Sequence, residues 1–198
     1  MFLLTKPSEE TICDFLTRQG TSRFSYAPVG SSERSEGAHG YVTDHNRILL
    51  GHGEEAWKRA RKAIDTWQPF HFDWVQLCWP DAAIAQGTNV GVLIKHFGFW
   101  SLNAARIAYV FDESSNAMKR YGFAYGTLLE HAEAGEERFS VEWHNQDNSV
   151  WYDLFAFSQP RALIARLGNP LVRWQQARFR KASKAAMVMA VGNDPAST

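Results

Sequence analysis

An α+β fold, in which a curved antiparallel sheet wraps around one long C-terminal helix and encloses a cavity with it, is predicted by three observations. From Pro69 onward the hydrophobic residues alternate with period two for about ninety residues, the repeat of half-buried strands. The gaps between successive runs are too short for parallel pairing, which needs a crossover of a dozen or more residues. The last long segment, from Pro170 to about Val191, is helical in pattern, and a sheet must bury one face against something.

The elements follow in order. Pro7-Ser8 before Glu9 and Glu10 marks a helix start, with Ser8 as the cap. Ile12, Phe15 and Leu16 fall on one face of that helix, and Gly20 ends it. Residues 21–40 are rich in Ser and Gly and read as an irregular connection. Arg47 to Leu50 is a short strand. A helix follows from Gly53 to Thr66, with Trp57, Ala60, Ile64 and Trp67 as its apolar stripe. Strands are expected over 73–79, 89–97, 104–113, 121–131, 137–144 and 149–157, with turns at 132–135 and 146–148. A short helix is expected over 160–167, then the long helix, whose inward stripe would be Leu171, Trp174, Ala182, Ala185 and Met189. Residues 1–40 thus form an N-terminal helix and connection, 41–191 a single domain, and 192–198 a frayed tail.

Composition excludes several classes. With 21 Lys plus Arg against 21 Asp plus Glu, the chain lacks the overall basic charge of a duplex nucleic-acid binder. The neutrality is a cancellation, because residues 161–198 carry seven basic side chains and one acidic one. Cys13 and Cys78 supply neither a disulfide framework nor a zinc half-site. No leader-like start and no run of about 18 apolar residues occurs, so a cytoplasmic protein without a transmembrane segment is expected. The 13 Phe, 8 Trp and 6 Tyr are enough rings for a large core or a lined cavity.

The apparent motifs are weak. Gly51-His52-Gly53 between a strand and a helix imitates a dinucleotide loop, but Glu54 and Glu55 would repel a pyrophosphate, and no βαβ unit follows. His71 and Asp73 lack further converging ligands, so no metal and no cofactor is expected. Glu130, Glu133, Glu136, Glu137, Glu142 and Asp147 crowd one hairpin and could supply an acid/base couple, but 132–135 reads as a turn with solvated glutamates, and Glu136 and Glu137 point to opposite sides if both lie in the strand. The basic face of the last helix reads as solvated, or as a docking face for an acidic partner, an anionic lipid surface or RNA. His131 ends a row containing Tyr121, Phe123, Tyr125 and Thr127, a position from which an imidazole could orient a ligand or carry a proton.

Several motifs together carry a resemblance: His45-x-Arg47 with Gly51-x-Gly53, Asp73-Trp74, and Tyr109-Val110-x-Asp112-Glu113. Tyr125-Gly126-Thr127-Leu128-x-x-His131 runs on to Gly135-Glu136-Glu137-x-Phe139, and Val150-Trp151-Tyr152 precedes Phe157-Ser158-x-Pro160. From about Phe24 to Phe179 the chain resembles the uncharacterised family known as domain of unknown function 1990. That family is grouped with START-like, birch-pollen-allergen-like helix-grip proteins. The resemblance implies a cavity for a small apolar or aromatic molecule and supplies no catalytic residues.

The expected function is therefore binding of a small hydrophobic or aromatic ligand, lipid included. The candidate contacts are His96, Tyr109, Tyr125, Thr127, His131, Trp143, Trp151 and Trp174. The alternatives are an enzyme (hydrolase, cyclase or isomerase) using His131 with Asp153 or Glu142, and an interaction module acting through the basic terminal helix. Fold alone does not choose between them.

Overall fold

The alternating segments pair as successive hairpins. The computed structural model describes residues 1–37, 39–79, 81–131, 133–160 and 169–192. Its strands are β1 (Phe2–Leu3), β2 (Val42–His52), β3 (Val75–Cys78), β4 (Asn89–Lys95), β5 (Trp100–Ser114), β6 (Met118–Thr127), β7 (Glu133–His144) and β8 (Ser149–Pro160). Its α-helices are α1 (Glu9–Gln19), α2 (Gly53–Asp65) and α3 (Asn169–Gly192), with 3-10 turns at Ser31–Arg34 and Gln68–Phe70. The sheet runs β2-β8-β7-β6-β5-β4-β3, antiparallel throughout, and β1 joins it on β5. The result is a curled sheet gripping a C-terminal helix.

Helix α2 begins where sequence chemistry places it. Gly53 sits at φ 79°, where side chains are strained, and lets the chain leave β2 and start the helix at once. Trp57, Ala60 and Ile64 then pack into the concave core with Phe123, Phe139 and Tyr152. Rings interlock there: Phe70 lies 5.0 Å from Phe139 and Trp67 5.0 Å from Phe123. The concave face is thus shared by α2 and α3, rather than covered by the terminal helix alone.

The inward stripe of α3 also differs from expectation. Ser183, Met187 and Val191 are buried, while Trp174 and Met189 are exposed and Ala185 is exposed. The true stripe has polar members, Arg173, Gln176 and Arg180, which find partners on the sheet. A hydrophobicity criterion therefore picks the wrong face. The helix expected over 160–167 and the tail beyond 192 lie outside the described residues, as does the side chain of Leu171.

The convex face carries the N-terminal segment. Ser8 caps α1 by accepting the Thr11 amide (3.2 Å), and Ile12, Phe15 and Leu16 pack against Leu93, Leu102 and Leu128. Residues 24–35, expected to be irregular, are held by a buried polar clamp. Glu136 accepts from the Tyr26 hydroxyl (2.5 Å), the Gly30 amide (2.7 Å), and the Ser32 amide (2.9 Å) and hydroxyl (2.5 Å). Arg138 donates to the Ser32 and Glu33 carbonyls and pairs with Asp153 at 2.8 Å. Gly126 leaves the room this clamp needs, since a Cβ there would collide with the Tyr26 hydroxyl.

Candidate functional site

A cavity of about 300 Å³ lies between the sheet and the first turns of the described part of α3. Alternation along the strands decides which side chains reach it. Val92 and Ile94 come from β4, Ala105 from β5, Tyr125 and Thr127 from the end of β6, and Glu133 and Glu137 from the start of β7. Helix α3 closes the space with Gln175, Gln176, Phe179 and Arg180.

Four of the eight expected contact residues line this cavity: His96, Tyr125, Thr127 and His131. The other four do not. Tyr109 is turned to the convex face by a bulge between Ile107 and Tyr109, where an extra residue reverses the alternation. Its hydroxyl meets Ser32 at 2.7 Å. Trp143 sits on the concave side but packs against Trp57 of α2, away from the cavity. Trp151 lies on the convex face under the Arg47 guanidinium, 5.1 Å from its ring centre. Trp174 projects outward, 48% exposed, towards Phe97.

Both cavity histidines are neutral hydrogen-bonding groups. His131 lies in the turn after β6, which stops at Thr127 rather than running to 131. Its Nδ1 accepts the Glu133 amide (3.0 Å), so the proton sits on Nε2, and burial lowers its pKa to about 4. His96 accepts at Nδ1 from the Gln175 amide (3.0 Å) and faces the Ser101 hydroxyl with Nε2 (2.7 Å). Burial lowers its pKa as well.

The pairing of His131 with Asp153 or Glu142 is not formed. Both acids lie on the opposite face of the sheet, where Asp153 binds Arg138, His45 and Arg47, and Glu142 binds Arg47. The Thr127 hydroxyl is likewise engaged, at 2.9 Å from the Gly135 amide and 2.6 Å from the Ser25 hydroxyl.

Glu130 is exposed in the turn after β6, as expected, but Glu133, Glu136, Glu137 and Glu142 belong to β7 and are not solvated turn residues. Strand β7 already begins at Glu133, so 133–135 belong to it rather than to a turn. Glu136 is 2% exposed in the convex clamp, while Glu133 and Glu137 turn into the cavity. Glu133 accepts from Gln176 (2.7 Å), and burial raises its pKa. Glu137 accepts from the Tyr125 hydroxyl (2.9 Å), and burial pushes it up to about 7. These two acids were missed by the sequence reading. The signal was present: residues four apart on one strand share a face.

The basic face of α3 is largely engaged internally. Arg173 and Arg180 both donate to Asp44 of β2 (3.0 and 3.1 Å), Lys184 donates to Asn46, and Arg178 covers the Trp74 ring at 4.2 Å. Among the described residues, no group of three or more His, Cys, Asp or Glu side chains could hold a metal ion. No helix among them is long and apolar enough to cross a membrane.

Comparison with known proteins agrees with this architecture. A family described as Domain of unknown function (DUF1990) is matched by residues 25–186. A UPF0548 protein of Dictyostelium discoideum is 32% identical over 210 residues, covering 98% of this chain and 97% of the relative. A UPF0548 protein of Deinococcus radiodurans is 34% identical over 203 residues, covering 97% and 100%. Among solved structures, a START superfamily protein from Mycobacterium smegmatis is similar in fold, with a TM-score of 0.50, 12% identity, and coverage of 77% of this chain and 98% of that one. A hypothetical protein of Helicobacter pylori is similar with a TM-score of 0.50, 10% identity, and coverage of 85% and 98%. At these identities the structural likeness is one of fold.

Proposed function

The chain belongs to the DUF1990 family, with a START-like helix-grip fold, and we propose that it binds a small, largely apolar or aromatic molecule in the cavity under α3. The observation that carries this reading is the cavity itself. Its volume of about 300 Å³ is at the lower end of small-molecule sites, about 300–1,000 Å³, which are mostly apolar with a few placed polar groups. Val92, Ile94, Ala105 and Phe179 would take the apolar body. The Glu137–Tyr125 pair would meet one polar end, because Glu137 receives a single hydrogen bond from the protein. His96, Thr127 and His131 shape the wall rather than react, since each already holds a protein partner.

The test is native mass spectrometry of the purified chain beside Ala156→Phe, a substitution that projects a ring into the space. Wild-type protein should retain a small molecule that the variant releases, with both folded by circular dichroism. Occupancy that is the same in both, or an empty wild type that takes up no hydrophobic probe, would sink the idea.

A second reading is favoured by Glu137 alone. A carboxyl that titrates near neutrality beside a phenol suits proton transfer to a bound molecule. The reacting group would then be Glu137 rather than His131. Solvent deuterium entering the co-purified molecule, and lost in Glu137→Gln with binding retained, is the outcome expected of an enzyme; unchanged isotope content leaves a binder.

A further inference from the structure

Exposed large apolar side chains gather at the border of the cavity. Phe97 is 80% exposed, Leu4 87%, Phe2 53% and Trp174 48%. These are not scattered: Phe97 lies 6.1 Å from Trp174, and Phe2 lies 6.1 Å from Phe99. Single exposed apolar residues are ordinary, but a contiguous group marks a surface that meets something. Phe2, His96, Phe99 and Gln175 line the cavity, and Phe97 follows His96 while Trp174 precedes Gln175 in the chain. The patch therefore adjoins the binding space.

Cations lie over Trp174 of the patch and over Trp100 next to it. Lys6 and Lys95 both lie 5.9 Å from the centre of Trp100, and Arg178 lies 5.6 Å from that of Trp174. The amino-terminal ammonium is turned inward, donating to the Leu102 carbonyl at 2.8 Å, and Glu130 is the acid that faces it. Aromatic and aliphatic side chains ringed by Lys and Arg suit the boundary between anionic headgroups and acyl chains.

We propose that this patch, formed by the N-terminal strand, the β4–β5 turn and the first described side chains of α3, docks on an anionic lipid bilayer and sets the cavity against it. The inference deepens the binding reading by naming the phase from which an apolar ligand would enter. The charge argument commits it to an anionic membrane rather than to a second copy of the chain, whose own patch would be equally basic.

The test is flotation with vesicles of phosphatidylcholine, with and without about a quarter phosphatidylglycerol. Wild-type protein should float with the anionic vesicles at low ionic strength and not with the neutral ones. Lys6→Gln and Lys95→Gln should each weaken binding about fivefold, the worth of one basic residue near such a surface. Leu4→Ser with Phe97→Ser should weaken it at least about tenfold, because two inserted apolar side chains are lost. These side chains are exposed, so folding is not at stake. Ala156→Phe should float like the wild type, which separates a failed cavity from a failed surface. No flotation with anionic vesicles, flotation undiminished by these substitutions, or a dimer in sedimentation equilibrium that Phe97→Ser dissociates would overturn the proposal.

Discussion

Glu136 and Glu137 are adjacent in β7, yet they live in opposite chemical worlds. Glu136 faces the convex clamp and collects four hydrogen bonds, two from backbone amides and two from hydroxyls. Glu137 faces the cavity and collects one, from Tyr125. A buried carboxylate is tolerable when donors replace water, and it otherwise moves towards its neutral form. The convex carboxylate has its donors and holds the chain together. The concave one is left short of donors, and a ligand could complete its set. One strand thus separates a staple from a site.

The comparison is broken most severely by removing a partner on the convex side. Asp153→Ala would leave Arg138, 2% exposed, without its buried counter-ion. Loss of one partner of a buried pair costs about 3–5 kcal/mol. Urea unfolding should show that loss, and a cost below about 1 kcal/mol would mean the clamp is replaceable.

On the cavity side the effects are smaller and depend on pH. The folded state holds Glu137 protonated up to about pH 7, whereas an unfolded Glu releases its proton near pH 4.3. Between those values the native state binds more protons, so stability falls as pH rises and the cost is complete above the folded pKa. Glu137→Gln removes the cost while keeping an acceptor for Tyr125. It should therefore be more stable than wild type at pH 8, by on the order of 1–3 kcal/mol, and nearly equal to it at pH 4. Parallel pH–stability curves for the two proteins would contradict this account of Glu137.

His131 acts in the opposite direction. Its folded pKa of about 4 lies below the unfolded value of about 6.5, so stability is lost as pH falls through that interval. His131→Gln should flatten the acid side of the curve by on the order of 1–2 kcal/mol near pH 4. Because the two residues titrate in overlapping windows with opposite sign, the wild-type curve partly hides both, and the single variants expose them.

The smallest effect is expected at an exposed ion pair on the surface. Arg61 and Asp112 form a two-point pair at 2.9 and 2.7 Å, but Asp112 is exposed. Asp112→Ala should cost about 0.2–1 kcal/mol and less at high salt. A larger loss in thermal or urea unfolding would show that the pair anchors α2 to β5.

Much of the architecture was legible in the sequence because it rests on periodicity and local chemistry. Trp57, Ala60 and Ile64 are spaced for one helical face, Ser8 has a capping position, and the short hairpin gaps exclude parallel strands. What was not legible depends on long-range contact. The segment 24–35 has no periodic apolar pattern, because its order comes from Glu136 and Arg138 more than a hundred residues away. Tyr109 was misplaced because a bulge leaves no mark in an alternating pattern. Arg173 and Arg180 look like solvent-facing charges until Asp44 is brought beneath them. Of the cavity, the walls contributed by β6 were readable, whereas Glu133 was hidden by an expected turn at 132–135 and Glu137, at the expected start of a strand, carried no sign that its face would be enclosed.

The alternation in β7 also makes that strand's alignment hard to mistake. A slip of one residue past its neighbours would exchange every side chain between the two faces. It would drive the Arg138 guanidinium into the ring cluster occupied by Phe139, and it would carry Glu136 away from the amides of Gly30 and Ser32. The neighbouring position would bring Glu137 to those amides and leave Tyr125 without its acceptor. Four consecutive residues, acidic, acidic, basic and aromatic, thus act as an address: only one setting of the strand satisfies all of them at once.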